Sequence, residues 1–512
     1  MNLFYRLCRF CGFASLGFAS LLSFIGLFWL PYVAKAATAT REATREAAPQ
    51  LPSVISQALA RAGVPRDAVS FEVRAVPGDA APRLSYKASV AMNPASVMKL
   101  VTTYSALDIL GPNFTWKTGF YTDGALSKGV LNGNLIIKGG GDPKWVLERI
   151  EENFKTLQVL GVQRITGDIV LDNSVFELPE KNSADFDGEP MRPYNSAPDG
   201  LLVNFKALIL KFVPDPQTQT IRVASEPPMA DVAIDAQVTA TTDGCGDWRS
   251  ALRADFSNPN KVRFGGSYSV RCGENTWPVA YVEPASYAIR VVKAMHKASG
   301  GVLDGKVRYG TLPRTTLLLW QAPSLPLSQI IADVNKFSNN VMAQQVFLTL
   351  SAQYSTFNSS LHLPGAPRTG NFVRSATTVQ NWWRERFGRT VKAPILDNGS
   401  GLSRKERITV QSLSELLRLA ASSPHNDVFI NSLSVAGMDG TAANMAKRGI
   451  AVNAIGNAQL KTGTLRDVAA VAGYAIGKSG KRYSVVGLIN HPNASAARPA
   501  LDALVEWAVL DD

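Results

Sequence analysis

Asn93-Pro94-Ala95-Ser96-Val97-Met98-Lys99 is the stretch from which the rest of the chain is best read. Asn93-Pro94 reads as a helix opening, with Asn as N-cap and Pro at the first helical position. Leu100, Tyr104 and Leu107 then carry the helix to Gly111-Pro112. Ser96 and Lys99, three apart at a helix start, share one face. If burial or a second cation lowers the lysine's pKa, neutral Lys99 can take the Ser96 proton. The helix N-terminus favours negative charge developing beside it. Alone the spacing is weak, because ordinary Ser and Lys frequencies give about one S-x-x-K in a chain this long. A surface lysine one turn from a helix-start serine is its commonest cause.

Two later stretches alter that balance. Ser338-Asn339-Asn340 falls in a run that reads as one helix over 328–351, from which a hydroxyl and an amide could reach a cleft. Lys461-Thr462-Gly463-Thr464 leads into a terminal hairpin, with strands over 468–476 and 483–489 and a last amphipathic helix containing Leu501, Leu504, Val505 and Trp507. An edge strand at 461–464 offers backbone groups to an extended peptide, and Gly463 permits close approach. Lys461 supplies positive charge for a carboxylate, while Thr462 and Thr464 project to the face opposite Lys461 and Gly463. Arg466 shares the threonine face, as a contact for an acidic peptide side chain or as a solvated charge. Asp172 is a weaker candidate, for a substrate amino group. A second K-T-G, Lys117-Thr118-Gly119, falls soon after Lys99 and reads as coincidence.

The remaining chain reads as helix at 286–298, 376–387 and 411–421, with short strands at 134–138, 168–172, 203–213, 232–239 and 261–268. Of 512 residues 46% are hydrophobic and 18% charged, which excludes wholesale disorder. The net charge of +12 has no local peak, which argues against a nucleic-acid module and for a polyanionic neighbourhood. His296, His362, His425 and His491 are scattered, without H-E-x-x-H or G-x-S-x-G.

Arg6 and Arg9 precede an uncharged apolar run that ends near Ala34-Lys35-Ala36, a signal-peptide pattern with cleavage after Ala36. An uncleaved anchor is the alternative. Cleavage removes Arg6, Arg9, Lys35 and no acid, so +12 becomes +9. Cys8 and Cys11 leave too, and Cys245 and Cys272 become candidates for a disulfide in an oxidising compartment.

The ordered set S-x-x-K, S-x-N, K-T-G resembles the serine penicillin-recognising enzymes. The phrases NLIIKGGGDP (134–143), DNGSGLSR (397–404) and AGMDGT (436–441), with 239 residues between Lys99 and Ser338, resemble one branch. That branch is the class C low-molecular-mass penicillin-binding proteins, D-alanyl-D-alanine carboxypeptidases and endopeptidases. The resemblance implies an α/β fold, a β-lactamase-like transpeptidase domain of antiparallel sheet and helices split by a mainly β insertion. The corresponding bounds are 1–36 signal, 37–50 linker, 51–117 and 311–512 catalytic, and 118–310 insertion in two sub-modules. It makes Ser96 the acylated nucleophile, Lys99 its base and Ser338 the proton relay to the leaving group. Asn340 would hold the substrate amide, Lys461 and Thr462 the terminal carboxylate, and the N–H groups of Ser96 and Thr464 the oxyanion. It implies no metal or organic cofactor. The implied substrates are peptidoglycan peptides ending in D-Ala-D-Ala, with β-lactams as covalent inhibitors and no nucleic-acid partner. The implied setting is the periplasm or cell envelope, with association to the membrane or other cell-wall enzymes left open. No E-x-x-L-N stretch is present, so efficient β-lactam hydrolysis is not expected. The competing readings are a β-lactamase or esterase on the same domain, and a non-catalytic module binding anionic envelope surfaces.

Overall fold

Along Val468–Ile476, Ala470, Ala472 and Tyr474 enter one apolar layer while Ala469, Val471 and Ala475 enter another. The next strand, Arg482–Asn490, alternates likewise, with Val486 and Leu488 against Val485 and Ile489. A period of two with both faces apolar makes these the central strands of a sheet covered on both sides. In the computed structural model, which describes residues 50–511 except 79, 216, 358–368 and 451, they are the centre of six. The order is Leu84–Tyr86, Val69–Val76, Arg482–Asn490, Val468–Ile476, Ala458–Leu465, Ser434–Val435, and every pairing is antiparallel. The signal segment, Cys8, Cys11 and His362 lie outside the described residues.

One face packs the helices Ser53–Arg61 and Arg498–Val509. The other packs Lys99–Leu110, Leu327–Phe337, Asn340–Phe357, Phe372–Phe387 and Val410–Ala421. Ten residues of Lys99–Leu110 are buried, so the helix carrying the S-x-x-K lysine runs through the interior. Its polar groups are satisfied locally: Thr102 Oγ1 donates to Gly399 O and Thr103 Oγ1 to Lys99 O.

The expected hairpin is present, its second strand one residue longer at each end. The inserted region differs more. Leu317–Pro323 pairs with Lys117–Thr122 in a separate five-stranded sheet, so residues from both sides of the expected 118–310 bounds share a sheet with strands inside them. That sheet holds Lys117-Thr118-Gly119 in a strand with two neighbours, whereas Lys461-Thr462-Gly463 lies in the six-stranded sheet. The expected strand at 203–213 begins at Ala207, because Asn204, Phe205 and Lys206 all take positive φ. The run 261–268 divides at Gly265-Gly266, where a Cβ on Gly266 would stand 2.0 Å from Ala251 O. The run 232–239 divides as well, into Ala233–Ile234 and Gln237–Thr241.

A helix absent from the sequence reading, Leu147–Val159, packs Ile150, Phe154 and Leu157 among Tyr287, Val291 and Met295 of Pro284–Ala298. A second five-stranded sheet has its own core around Leu210, Phe212, Ile221 and Tyr268. Near it a disulfide joins Cys245 to Cys272, their Cα atoms 4.9 Å apart.

Candidate active site

Asn93 does not cap a helix. Its Oδ1 accepts the Ala95 N–H at 2.9 Å, its Nδ2 donates to Ser403 O, and its backbone exchanges two bonds with the Asn490 side chain. This local turn competes with helix, as Asn side chains do. Ala95 is driven to φ 46°, a left-handed conformation unusual for a residue with a Cβ. A 3-10 turn follows at Ala95–Met98, and α-helix begins only at Lys99. Ser96 therefore sits on a strained elbow at the mouth of the interior helix. The loop beside it comes so close that a Cβ on Gly401, φ 80°, would stand 1.9 Å from Ala95 O.

The single helix expected over 328–351 is two helices. Leu327–Phe337 stops at Ser338, which is left-handed (φ 58°, ψ 33°), and Asn339 Oδ1 accepts the Met342 N–H at the start of Asn340–Phe357. The break frees the Ser338 hydroxyl from a helical row and leaves Asn340 at the mouth of the next helix.

These breaks converge. Lys99 Nζ lies 3.0 Å from Ser96 Oγ, 2.7 Å from Asn340 Oδ1 and 2.5 Å from Ser400 O. Asn340 Nδ2 donates to Tyr194 O, which fixes which amide atom faces the lysine. Two of the three neighbours are pure acceptors. A neutral amine has two N–H groups and one lone pair, so with both acceptors satisfied its lone pair faces the Ser96 hydroxyl. Lys99 is fully buried, and its pKa falls well below the ordinary lysine value: burial is the chief cause, the Lys461 charge adds to it, and the Glu406 carboxylate opposes it. The geometry and charge together suit a general base.

Lys461 Nζ donates to Ser338 Oγ at 2.9 Å and to Thr462 O at 2.8 Å, and burial pushes its pKa down to about 7. Thr462 Oγ1 donates to Thr441 Oγ1. A Cβ on Gly463 would lie 2.7 Å from Pro94 O and 3.1 Å from Ser96 N, so the strand touches the elbow itself. Ser434–Val435 covers only Gln459 and Leu460, and among the described residues no strand pairs with the outer edge of 461–465. That edge opens on a cavity of about 350 Å³ lined by Ser96, Ser338, Thr441, Thr462, Gly463 and Thr464.

Behind Lys99, Glu406 is fully buried, and its Oε1 accepts the N–H groups of Asp397, Asn398 and Gly399. It holds the loop that delivers Ser400 O to the lysine. Burial raises its pKa, and the three N–H bonds work against that rise.

The structure thus brings together Ser96, Lys99, Ser338, Asn340, Lys461, Thr462, Gly463 and Thr464. It does not bring Arg466, which lies in the exposed turn after the strand rather than on the threonine face. Asp172 is buried, accepting from the N–H groups of Ser174 and Leu312 and paired with Lys138, so it has no free face for a substrate. Ser400, Thr441 and Glu406 were not singled out from sequence. The first two stand inside the phrases DNGSGLSR and AGMDGT, but a backbone carbonyl and a threonine hydroxyl leave no mark of their role. Arg448 and Arg498, which line the same cavity, had no sequence signal at all.

The model of the D-Ala-D-Ala carboxypeptidase 3 (S13) family matches residues 52–509. The chain is 24% identical over 405 residues to D-alanyl-D-alanine carboxypeptidase DacB of Haemophilus influenzae, covering 79% of this chain and 82% of that one. It is 27% identical over 412 residues to a D-alanyl-D-alanine carboxypeptidase of Actinomadura sp., covering 77% and 72%. Among solved structures, penicillin binding protein 4 of Haemophilus influenzae superposes with a TM-score of 0.69 at 21% identity, covering 88% of this chain and 98% of the other.

Proposed function

This chain belongs to the D-Ala-D-Ala carboxypeptidase 3 (S13) family of low-molecular-mass class C penicillin-binding proteins, serine-type carboxypeptidases, and we propose that it works through an acyl-enzyme on Ser96. The observation that carries this reading is the triple contact of Lys99 Nζ with Ser96 Oγ, Asn340 Oδ1 and Ser400 O.

Lys99 takes the Ser96 proton as Oγ attacks the carbonyl carbon of the penultimate D-alanine. The N–H groups of Ser96 and Thr464 receive the oxyanion, a contribution of about 2.7–4 kcal/mol for one such donor. As the tetrahedral adduct collapses, the C–N bond breaks and Ser338 passes a proton to the departing amine, replenished from Lys461; the proton that Lys99 took from Ser96 then refills Lys461, which returns Lys99 to its neutral form. Water then adds to the acyl-enzyme with Lys99 again as base. The carboxylic acid is released and Ser96 recovers its proton.

The same chemistry, with a cross-linking peptide as leaving group, is a D,D-endopeptidase reaction, and penicillin would acylate Ser96 as a slowly released mimic. The open edge at 461–465 and the cavity beyond it support a leaving group longer than one residue. Among the described residues no helix is long and apolar enough to cross a membrane. The signal pattern at 1–36 supports a periplasmic or envelope location. The test is fluorescent penicillin on purified protein: one covalent label per chain, lost in Ser96→Ala. A folded wild type that takes no label sinks the reading, and mass spectrometry of purified muropeptides separates D-alanine release from cross-link cleavage.

A further inference from the structure

The phrase NLIIKGGGDP (134–143) lies outside the catalytic cavity, yet its glycines reach the helix that carries Asn340. A Cβ on Gly139 would stand 2.2 Å from Gly200 O, and one on Gly140 2.2 Å from Lys117 O, so only bare backbone fits there. Gly141, at φ 84°, donates its N–H to Gly200 O at 2.9 Å. The side chain that enters this crowded point is Gln345, which is fully buried. Its Nε2 donates to Gly141 O at 3.2 Å and to Asp199 O at 2.9 Å, and its Oε1 accepts the Asp199 N–H at 3.0 Å. A buried amide with both N–H groups and its oxygen engaged has one orientation.

Gln345 lies five residues along the helix from Asn340, and Asp199 lies five residues along the insertion from Tyr194. The two contacts therefore hold one register. Asn340 Nδ2 donates to Tyr194 O at 3.2 Å at one end, and Gln345 exchanges two bonds with Asp199 at the other. Between them Asn195 and Ser196 are buried, so the strip is packed along its length as well as tied at its ends. The Tyr194 contact turns Asn340 Oδ1 toward Lys99 Nζ, 2.7 Å away. A bond of 3.2 Å is at the long end of the normal range and holds an amide weakly by itself. The firmer end at Asp199 keeps its acceptor in place.

We propose that Gln345 is a positioning residue for the reaction: by locking residues 194–199 against the helix that begins at Asn340, it fixes the amide contact that aims the Lys99 lone pair at Ser96. The proposal rests on Lys99 being the base for Ser96. The insertion is then a working part of the catalytic centre, although Gln345 touches no reacting atom.

The test is the rate of penicillin acylation from pH 5 to 10 in wild type, Gln345→Met and Gln345→Asn. Methionine keeps the length of the side chain and removes all three bonds. With Asn340 freed, the Lys99 ammonium loses an acceptor, so the neutral amine persists to lower pH. The acid limb of the profile, where Lys99 gains its proton, should move down by about one to two pH units, the worth of one hydrogen bond to a charged group. The maximal rate should fall by about 10–100-fold as the lone pair loses its aim. Lys461 and Glu406, the charges that face Lys99, are untouched by the substitution. Gln345→Asn, whose amide stops one methylene short, should show the same displacement in smaller measure. An acid limb that stays in place or moves up overturns the proposal, whatever the loss of rate or melting temperature, because a purely structural tie would weaken the fold and leave the base alone. If Gln345→Met fails to fold, judged by melting, Gln345→Asn decides alone on the same criterion. A wild type that takes no penicillin label removes the Ser96 reading as well. A labelled wild type whose acid limb ignores Gln345 removes only this one.

Discussion

Replacing Asn340 by Asp puts the base mechanism to its hardest test, because it changes one atom group at the centre of the Lys99 contacts. Asn340 Oδ1 stands 2.7 Å from Lys99 Nζ, so the variant places a carboxylate at that distance inside a buried site. The carboxylate stabilises the ammonium, so the Lys99 pKa rises. At an effective dielectric near 20, the Coulomb energy at this separation is about 6 kcal/mol, an upper bound. Opposite charges at contact commonly move a pKa by about 1–3 units. A shift of two units leaves about one hundredth of the former neutral Lys99 at pH values on the acid limb.

The assay is the second-order rate of penicillin acylation from pH 5 to 10. Neutral Lys99 is present above its depressed pKa and lost as pH falls through it, so the wild-type acid limb belongs to Lys99. Protonated Lys461 is lost as pH rises through about 7, so the alkaline limb belongs to Lys461. In the variant the acid limb moves up by about two units, the limbs overlap and the maximum falls. The lost donation to Tyr194 O also lowers the melting temperature. A uniform rate loss with no displacement of the acid limb would refute Lys99 as the base.

Glu406→Gln should act with the opposite sign: it keeps an oxygen for the three loop N–H groups but removes a charge that raises the Lys99 pKa, so the same acid limb should move to lower pH. Gly463→Ala forces a Cβ to within 2.7 Å of Pro94 O, and backbone must yield. Acylation should fall by about 100-fold, the scale for a small misplacement of reacting groups, with a modest loss in melting temperature. Full activity in Gly463→Ala would mean that the contact between strand and elbow is idle. Cys245→Ser with Cys272→Ser opens a 27-residue separation and should cost roughly 3–4 kcal/mol in the inserted region by chain entropy, read by denaturant unfolding, while acylation stays intact.

The parts of the fold that were legible in sequence are those in which one periodicity prevails. The strand over 468–476 alternates without interruption, and the helices near 376–387 and 411–421 keep an apolar stripe; each was placed within a few residues of its observed bounds. Elements were misread where a backbone break overrides the pattern. Leu327 through Phe357 is periodic enough for one helix, and nothing in the spacing announces the left-handed turn at Ser338. Leu147–Val159 went unseen because its charged face, with Glu148, Glu151 and Glu152, dilutes the three residues that pack.

In the site, Ser96, Lys99, Ser338, Asn340, Lys461 and Thr462 were readable because their side chains recur at fixed motif spacing, whereas Thr441, Arg448 and Arg498 stand in no such pattern. Ser400, which contributes a backbone carbonyl, and Glu406, which acts by holding a loop, were not readable either. Arg466 failed for a geometric reason: the strand ends at Leu465, so the face-sharing rule stops one residue short of it.

The pairing of Val69–Val76 with Arg482–Asn490 has a consequence for the life of the chain. Val69–Val76, upstream of the Ser96 elbow, has a short local partner in Leu84–Tyr86 but finds its full-length neighbour about 400 residues further along the chain. The elbow is also pinned by Asn490, at the far end of that same late strand. Without Arg482–Asn490 the elbow loses both of its bonds to the Asn490 side chain, whereas the sheet built on Ala207–Asp215 draws its strands from within 207–280. A chain clipped ahead of Arg482 should therefore take no covalent penicillin label, even where its other sheets remain folded.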